Sequence, residues 1–163
     1  MNSEDTIILG SYDAPVKIIM ITNPYCGYCE KTHWIMEELL KKHHEKICFN
    51  LHFNYFEYEN INPESKLLHQ RLVSIYIDQG QEALIEALAN WFTSKDMKQI
   101  KVLKSLNEEK ANKILENQLQ WNKSNHISYT PTIIINGYFL PRQYERSDLK
   151  YFIDDLSEDE DFN

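Results

Sequence analysis

Cys26-Gly27-Tyr28-Cys29 stands where one hydrophobic period gives way to another. Before it, Val16 to Thr22 (VKIIMIT) is almost continuously apolar and β-branched, the pattern of a strand covered on both faces. After it, Cys29, His33, Met36, Leu40 and His43 recur at three- and four-residue steps, the stripe of an amphipathic helix. Asn23-Pro24-Tyr25 breaks the strand. Lys41, Lys42, His43 and His44 end the helix, where cations suit its negative end. The two thiols therefore fall on the first turn of a helix that follows a buried strand. Unpaired backbone N–H groups and the positive end of the helix dipole stabilise a thiolate there. The second cysteine, one turn on, is close enough to close a disulfide. Spacing and context together read as a redox CxxC beside a βα unit.

Two plainer readings compete. CxxC is also half of a zinc site, which needs two more ligands. Cys48 is the one remaining cysteine, and His33, His43 and His44 fit no common finger spacing. No metal is expected, and no cofactor. The other rival is an inert cysteine pair.

A chain of 163 residues is expected to form one domain with a real core. Its net charge of −8 leaves no excess of cations to meet phosphates, so nucleic acid is not an expected partner. Part of the acidity is local: Asp154, Asp155, Glu158, Asp159, Glu160 and Asp161 crowd the C-terminus, and residues 157–163 read as a solvated acidic tail. No stretch reaches the length of a membrane span. Asn2 to Asp5 is polar and acidic, unlike the start of a signal peptide. A cytosolic protein, a mature exported one and a soluble part of something larger all remain open.

Ile47 to Tyr55 alternates, with Ile47, Phe49, Leu51, Phe53 and Tyr55 on one face and Cys48, Asn50, His52 and Asn54 on the other. Strand, helix, strand is a βαβ unit. Three helical stripes follow: Leu68, Leu72, Ile75 and Tyr76; then, past Gly80, Leu84, Leu88, Trp91 and Phe92; then Ala111, Ile114, Leu115 and Leu119. The third is expected to begin near Ser105, whose spacing to Glu108 matches a capping box. Thr132 to Ile135 returns to the strand pattern, Asn136-Gly137 marks a tight hairpin, and Tyr138 to Leu140 pairs back. Ser147 is expected to cap a last helix carrying Leu149, Phe152, Ile153 and Leu156.

This order resembles the thioredoxin fold, and more closely its DsbA-like branch: an α/β protein with a central mixed sheet flanked by helices and an inserted helical subdomain. The likeness rests on Ala14-Pro15-Val16, on Asn23-Pro24-Tyr25-Cys26-Gly27-Tyr28-Cys29, and on Tyr129-Thr130-Pro131-Thr132-Ile133-Ile134-Ile135-Asn136-Gly137. It implies thioredoxin-fold parts at about 7–60 and 126–156 and a helical insertion at about 64–125. A further likeness, to thioredoxin-like domains fused to bacterial vitamin K epoxide reductase homologues, rests on Asn136-Gly137-Tyr138 and Leu140-Pro141.

The resemblance implies a thiol–disulfide oxidoreductase acting on protein thiols and disulfides in a periplasmic or other extracytoplasmic compartment. Cys26 is similar to the attacking thiol and Cys29 to the buried resolving one. Pro131 is similar to the cis-proline that faces the disulfide, with Thr130 offering backbone to an extended substrate. Gly27 and Tyr28 lie between the thiols. Tyr25 and Tyr28 would form an apolar rim or pack on the loop. One position departs from the pattern: Met20 stands six residues before Cys26, where thioredoxins carry a buried acid. His33 reads as a packing residue ahead of a thiolate partner, Trp34, Trp91 and Trp121 as core, and Cys48 as a bystander at the far end of the sheet. Two other functions stay open. One is a relay domain serving a single membrane oxidase. The other is a non-catalytic binding or chaperone domain with a structural disulfide.

Overall fold

The computed structural model describes residues 6–54, 62–102, 107–141 and 143–159. Strand β1 (Ile7–Gly10) precedes β2 (Val16–Thr22), helix α1 (Gly27–His43) and β3 (Ile47–Phe53). A helical block follows: α2 (Pro63–Gln79), α3 (Gln81–Ser94), a 3-10 turn at Met97–Gln99, and α4 (Glu108–Ser124). The hairpin β4 (Thr132–Ile135) and β5 (Tyr138–Phe139), a 3-10 turn at Arg146–Asp148, and α5 (Leu149–Glu158) complete the chain. The sheet order is β1-β3-β2-β4-β5. β2 and β3 are parallel, Val16 beside Ile47 and Thr22 beside Phe53, while β1, β4 and β5 join antiparallel. This is the thioredoxin fold with a helical insertion between β3 and β4. Among the described residues no helix is long and apolar enough to cross a membrane.

Why β2 reads as a continuous apolar run is now plain. Its Val16, Ile18 and Met20 join one cluster with Met36, Leu39 and Leu40 of α1. Ile21 and Ile19 face the other way, toward Ile127, Ile134 and Trp121. β3 is buried on both faces except at half-buried Asn50. β2 thus carries apolar side chains in both directions, whereas the second face of β3 is mainly polar, with His52 buried on it.

Two turns set the frame. A side chain at Gly10 (φ 92°) would put its Cβ 2.4 Å from the Ile47 carbonyl oxygen, so only glycine fits where β1 ends. At the hairpin, Asn136 (φ 44°) and Gly137 (φ 89°) both take the left-handed conformation that this two-residue turn requires. Asn136 also reaches β2: its Oδ1 accepts from Lys17 N–H at 2.6 Å and its backbone N–H donates to the Lys17 carbonyl at 2.8 Å.

The helical block is bound to the sheet through polar contacts as well as apolar ones. Gln118 Oε1 accepts from Phe53 N–H and its Nε2 donates to the Leu51 carbonyl, both at 2.9 Å. One carboxamide so takes the place of a strand beside β3 where β3 runs past Ile7. Asn122, one turn on, donates to the Phe53 carbonyl at 3.4 Å and lies 3.3 Å from His52 Nδ1. At the outer edge, the N–H groups of Ile8 and Gly10 are taken by the Tyr76 hydroxyl and Gln81 Oε1. Side chains thereby close the exposed edge of β1.

Several expectations are corrected. α4 begins at Glu108 with Asn107 at its N-cap; Ser105 lies outside the described residues. Its inward stripe continues through Gln118 and Asn122, and Leu119 is only half-buried. Ser147 caps nothing: it lies within the 3-10 turn, whose cap is a reciprocal pair between Glu145 and Asp148. The acidic C-terminus starts as helix, since α5 runs through Glu158, and Asp154 pairs with Lys46 at 2.6 Å. Trp34 is not core but 38% exposed. Tyr55 and residues 160–163 lie outside the described residues, as does the side chain of Phe152.

Candidate active site

Cys26 is the N-cap of α1 and is partly exposed; Cys29, three positions on, is fully buried. The loop between β2 and α1 holds them by a series of short bonds. Asn23 Oδ1 accepts from Tyr25 N–H at 2.9 Å, the Asn23 carbonyl accepts from Cys26 N–H at 3.0 Å, and Asn23 Nδ2 donates to the Asn54 carbonyl at 3.3 Å. Asn54 N–H in turn donates to the Thr22 carbonyl at 2.8 Å.

The two sulfurs have different surroundings. Burial opposes ionisation of Cys26, but hydrogen bonds from the Thr130 side chain, the Cys29 thiol, and the Cys29 and Tyr28 backbone N–H groups outweigh it. Its pKa lies below the ordinary thiol value. For Cys29 burial dominates and raises the pKa above the ordinary thiol value, against smaller opposing pulls from Thr22, the Asn23 N–H and Thr130. The Asn23 nitrogen lies 3.4 Å from Cys29 Sγ. One turn of helix therefore presents a thiol of lowered pKa toward solvent and keeps its neighbour buried.

The β4 end completes the site. The Thr130–Pro131 peptide bond is cis, and the Thr130 carbonyl oxygen lies 3.5 Å from Cys26 Sγ. Arg146 Nη2 donates to the Pro131 carbonyl at 3.1 Å. Beside this loop runs a groove of about 720 Å³, lined among others by Tyr28, Ile35, Tyr129, Pro131, Phe139 and Tyr144. Tyr28 projects from its rim with 72% of its surface exposed. Gly27 has open space around it. Tyr25 sets its ring edge-on to Trp91 of α3 at 5.3 Å and is 44% exposed.

His33 is buried against Trp34 and Phe92 rather than placed on a sulfur. Burial pushes its pKa down to about 4, against the pull of Glu37 and Glu30. His43 turns to Asp154. Among the described residues no three His, Cys, Asp or Glu side chains gather as metal ligands. Cys48 lies beside Lys17 and Gly10, at the opposite end of β3 from the dithiol.

Four residues of this region carried no signal in the sequence: Thr22 and Asn23 beneath Cys29, Arg146 on the proline loop, and Trp91. Trp91 reads as core by its spacing and is buried, yet its indole N–H donates to the Pro24 carbonyl at 2.8 Å. In the sequence Asn23 reads as a strand breaker and as part of the stretch that carries the resemblance, with nothing to mark its bond to the Cys29 sulfur.

An asymmetric dithiol at a helix N-terminus, facing a proline loop in this topology, defines a thioredoxin-fold oxidoreductase of the thiol–disulfide class. The family model described as Thioredoxin matches residues 2–155, and the chain belongs to that family. Solved structures share the fold at low identity. A periplasmic thioredoxin-like protein from Salmonella enterica serovar Typhimurium superposes with a TM-score of 0.76 at 15% identity, over 98% of this chain and 94% of that one. BdbD from Bacillus subtilis gives 0.71 at 15%, over 97% and 96%. The thiol–disulfide exchange protein alpha-DsbA2 from Wolbachia pipientis gives 0.68 at 13%, over 93% and 87%. No curated protein matches in sequence.

Proposed function

We propose that this protein exchanges disulfides with protein substrates in an extracytoplasmic compartment, with Cys26 as the attacking thiol and Cys29 as the resolving one. The observation that carries the reading is the difference between the two sulfurs. Cys26 is reachable and its thiolate is favoured; Cys29 is sealed and its thiol is favoured. The Cys26 thiolate attacks a substrate disulfide, a mixed disulfide forms, and Cys29 displaces the substrate; the reverse sequence oxidises a substrate dithiol.

Pro131 has no N–H to offer and leaves the loop beside Cys26 open to a substrate backbone, which Thr130 is placed to meet. Tyr28, Tyr129, Phe139 and Tyr144 give the groove an aromatic lining suited to unfolded chain. Tyr25 supports the loop through Trp91 and serves substrate with its exposed edge. Gly27 keeps bulk away from the approaching disulfide. The periplasmic placement of the Salmonella structure supports an oxidising compartment for this chain as well.

A trapping experiment tests the assignment. Cys29→Ser should accumulate mixed disulfides with client proteins and Cys26→Ser should accumulate none. Equal trapping by both variants would reverse the reading. Direction is tested by equilibration with glutathione. The helix N-terminus favours the reduced thiolate, Gly27-Tyr28 adds no cation, and Met20 removes a carboxylate that would oppose it. The expected potential is about −150 to −250 mV, between DsbA and thioredoxin. A value well below about −270 mV would make the protein a reductase.

A further inference from the structure

The groove beside the proline loop carries charge that runs against the rest of the chain. The protein's net charge is −8, yet two of the side chains lining this groove are cations, Lys31 and Arg146. The carboxylate among the described lining residues, Glu145, is already engaged. Its side chain accepts from the Asp148 backbone N–H, while Asp148 Oδ2 accepts from Glu145 N–H at 2.8 Å. Among the described residues neither Lys31 nor Arg146 joins an ion pair.

We propose that this groove selects client segments bearing an acidic residue two or three positions from the reacting cysteine, and that Arg146 is the specificity-determining residue that reads it. The inference rests on the exchange function proposed above and names a substrate class for it.

The placement of Arg146 follows from its neighbours. It opens the 3-10 turn Arg146–Asp148, which the reciprocal Glu145–Asp148 pair holds at one end and Leu149, buried in the core, holds at the other. From there Nη2 reaches back to the Pro131 carbonyl at 3.1 Å. That bond fixes one arm of the guanidinium. The planar fork carries further N–H donors, and a carboxylate is the partner whose two oxygens match them. The neighbouring carbonyl, that of Thr130, lies 3.5 Å from Cys26 Sγ. Arg146 therefore stands within about three residues of extended chain from the reacting sulfur.

Lys31 adds a second cation from α1. Tyr28, Lys31, Thr32 and Ile35 recur at three- and four-residue steps, so one face of that helix supplies part of the groove wall. Lys31 is exposed and Arg146 half-buried, so water screens the lysine more, and the arginine weighs more in the choice of client. Tyr129, Phe139 and Tyr144 give apolar contact to the segment that carries the acid.

The test uses the full chain, oxidised at Cys26–Cys29, and reduced peptides of one sequence with a single cysteine. Glutamate, glutamine or lysine is placed in turn at each of the three positions on either side of that cysteine. Mixed-disulfide formation is followed by acid quench and mass spectrometry. Each rate is divided by the same peptide's rate with the uncharged disulfide of mercaptoethanol, which removes differences in thiol reactivity. Two or three positions from the cysteine, on one side of it, glutamate should react about fivefold faster than lysine, the scale of one partly exposed ion pair, with glutamine between. Added salt should shrink the ratio. Arg146→Gln should bring it close to one, and Arg146→Glu should invert it. A loop merely distorted by substitution would slow every peptide alike and leave the ratio as it was. The inference is overturned if the wild type shows no glutamate preference at those positions, or if the preference survives in Arg146→Gln. The wild-type scan decides by itself should a variant fail to fold. A wild type that forms a mixed disulfide with none of the peptides would instead remove the proposed function.

Discussion

Trp91 donates its indole N–H to the carbonyl of Pro24 across 67 positions of sequence, at 2.8 Å and out of contact with solvent. The inserted helices thus reach the loop that carries the dithiol. Tyr25, the next residue, packs its ring on the same indole. Trp91→Phe keeps most of the aromatic bulk and leaves the Pro24 carbonyl without this donor. It should cost about 1–3 kcal/mol in urea unfolding, the penalty for stranding one buried polar group. A variant as stable as wild type would mean that the loop finds another donor.

The two active-site thiols should be separable by pH. Hydrogen bonds lower the pKa of Cys26 in spite of burial, and burial raises that of Cys29. In the reduced protein, brief alkylation with iodoacetamide followed by peptide mass spectrometry should label Cys26 at lower pH than Cys29. Coincident profiles would contradict the asymmetry on which the proposed roles depend.

Acid should weaken the fold through two buried imidazoles. Burial lowers the pKa of His33 and of His52 to about 4, against about 6.5 in an unfolded chain. Between those values the unfolded state binds the extra protons, so stability rises with pH there. The contribution is complete above about pH 6.5 and is lost as pH falls toward 4, on the order of 3 kcal/mol for each histidine at most. Denaturant unfolding at pH 7 and pH 4.5 should show the loss, and His52→Gln should reduce it. A flat profile across this window would mean that neither ring is buried neutral.

Cys48 should remain a free thiol. Lys17 and Gly10 are its neighbours across the sheet, while the dithiol lies beyond the opposite end of β2. From Cys48 to Phe53 the strand rises about 17 Å, and a disulfide needs Cα atoms within about 7 Å. Digestion of the oxidised monomer should give one bridge, Cys26–Cys29, and an unmodified Cys48 peptide. An intramolecular bridge to Cys48 would be incompatible with this strand register.

What could be read in the sequence was whatever local pattern determines. Val16 to Thr22 is almost continuously apolar because, past Lys17, it is covered on both faces. Cys26 to His43 is striped because one side of α1 meets the sheet. Asn136-Gly137 fits because few other pairs accept its backbone. The rest depends on contacts between distant segments. A search for apolar stripes passes over Gln118 and Asn122, polar side chains that point inward because β3 offers them backbone groups to pair. It favours Leu119 in their place. Ser147 resembles a cap in isolation, but Glu145 and Asp148 satisfy each other's backbone first.

The carboxamide of Gln118, seated against the backbone of β3, makes the inserted block hard to treat as an accessory. An ordinary insertion can fray while the domain beneath it stays intact. Here β3, on the side away from β2, runs past the start of β1 at Ile7, and α4 supplies there what a further stretch of strand would have supplied. Loosening α4 would expose Phe53 N–H and the Leu51 carbonyl at the centre of the molecule, next to the strand that leads to Cys26. The helices and the sheet should therefore unfold in a single cooperative transition, and excising the block would open the sheet rather than shorten the protein to a minimal form of its fold.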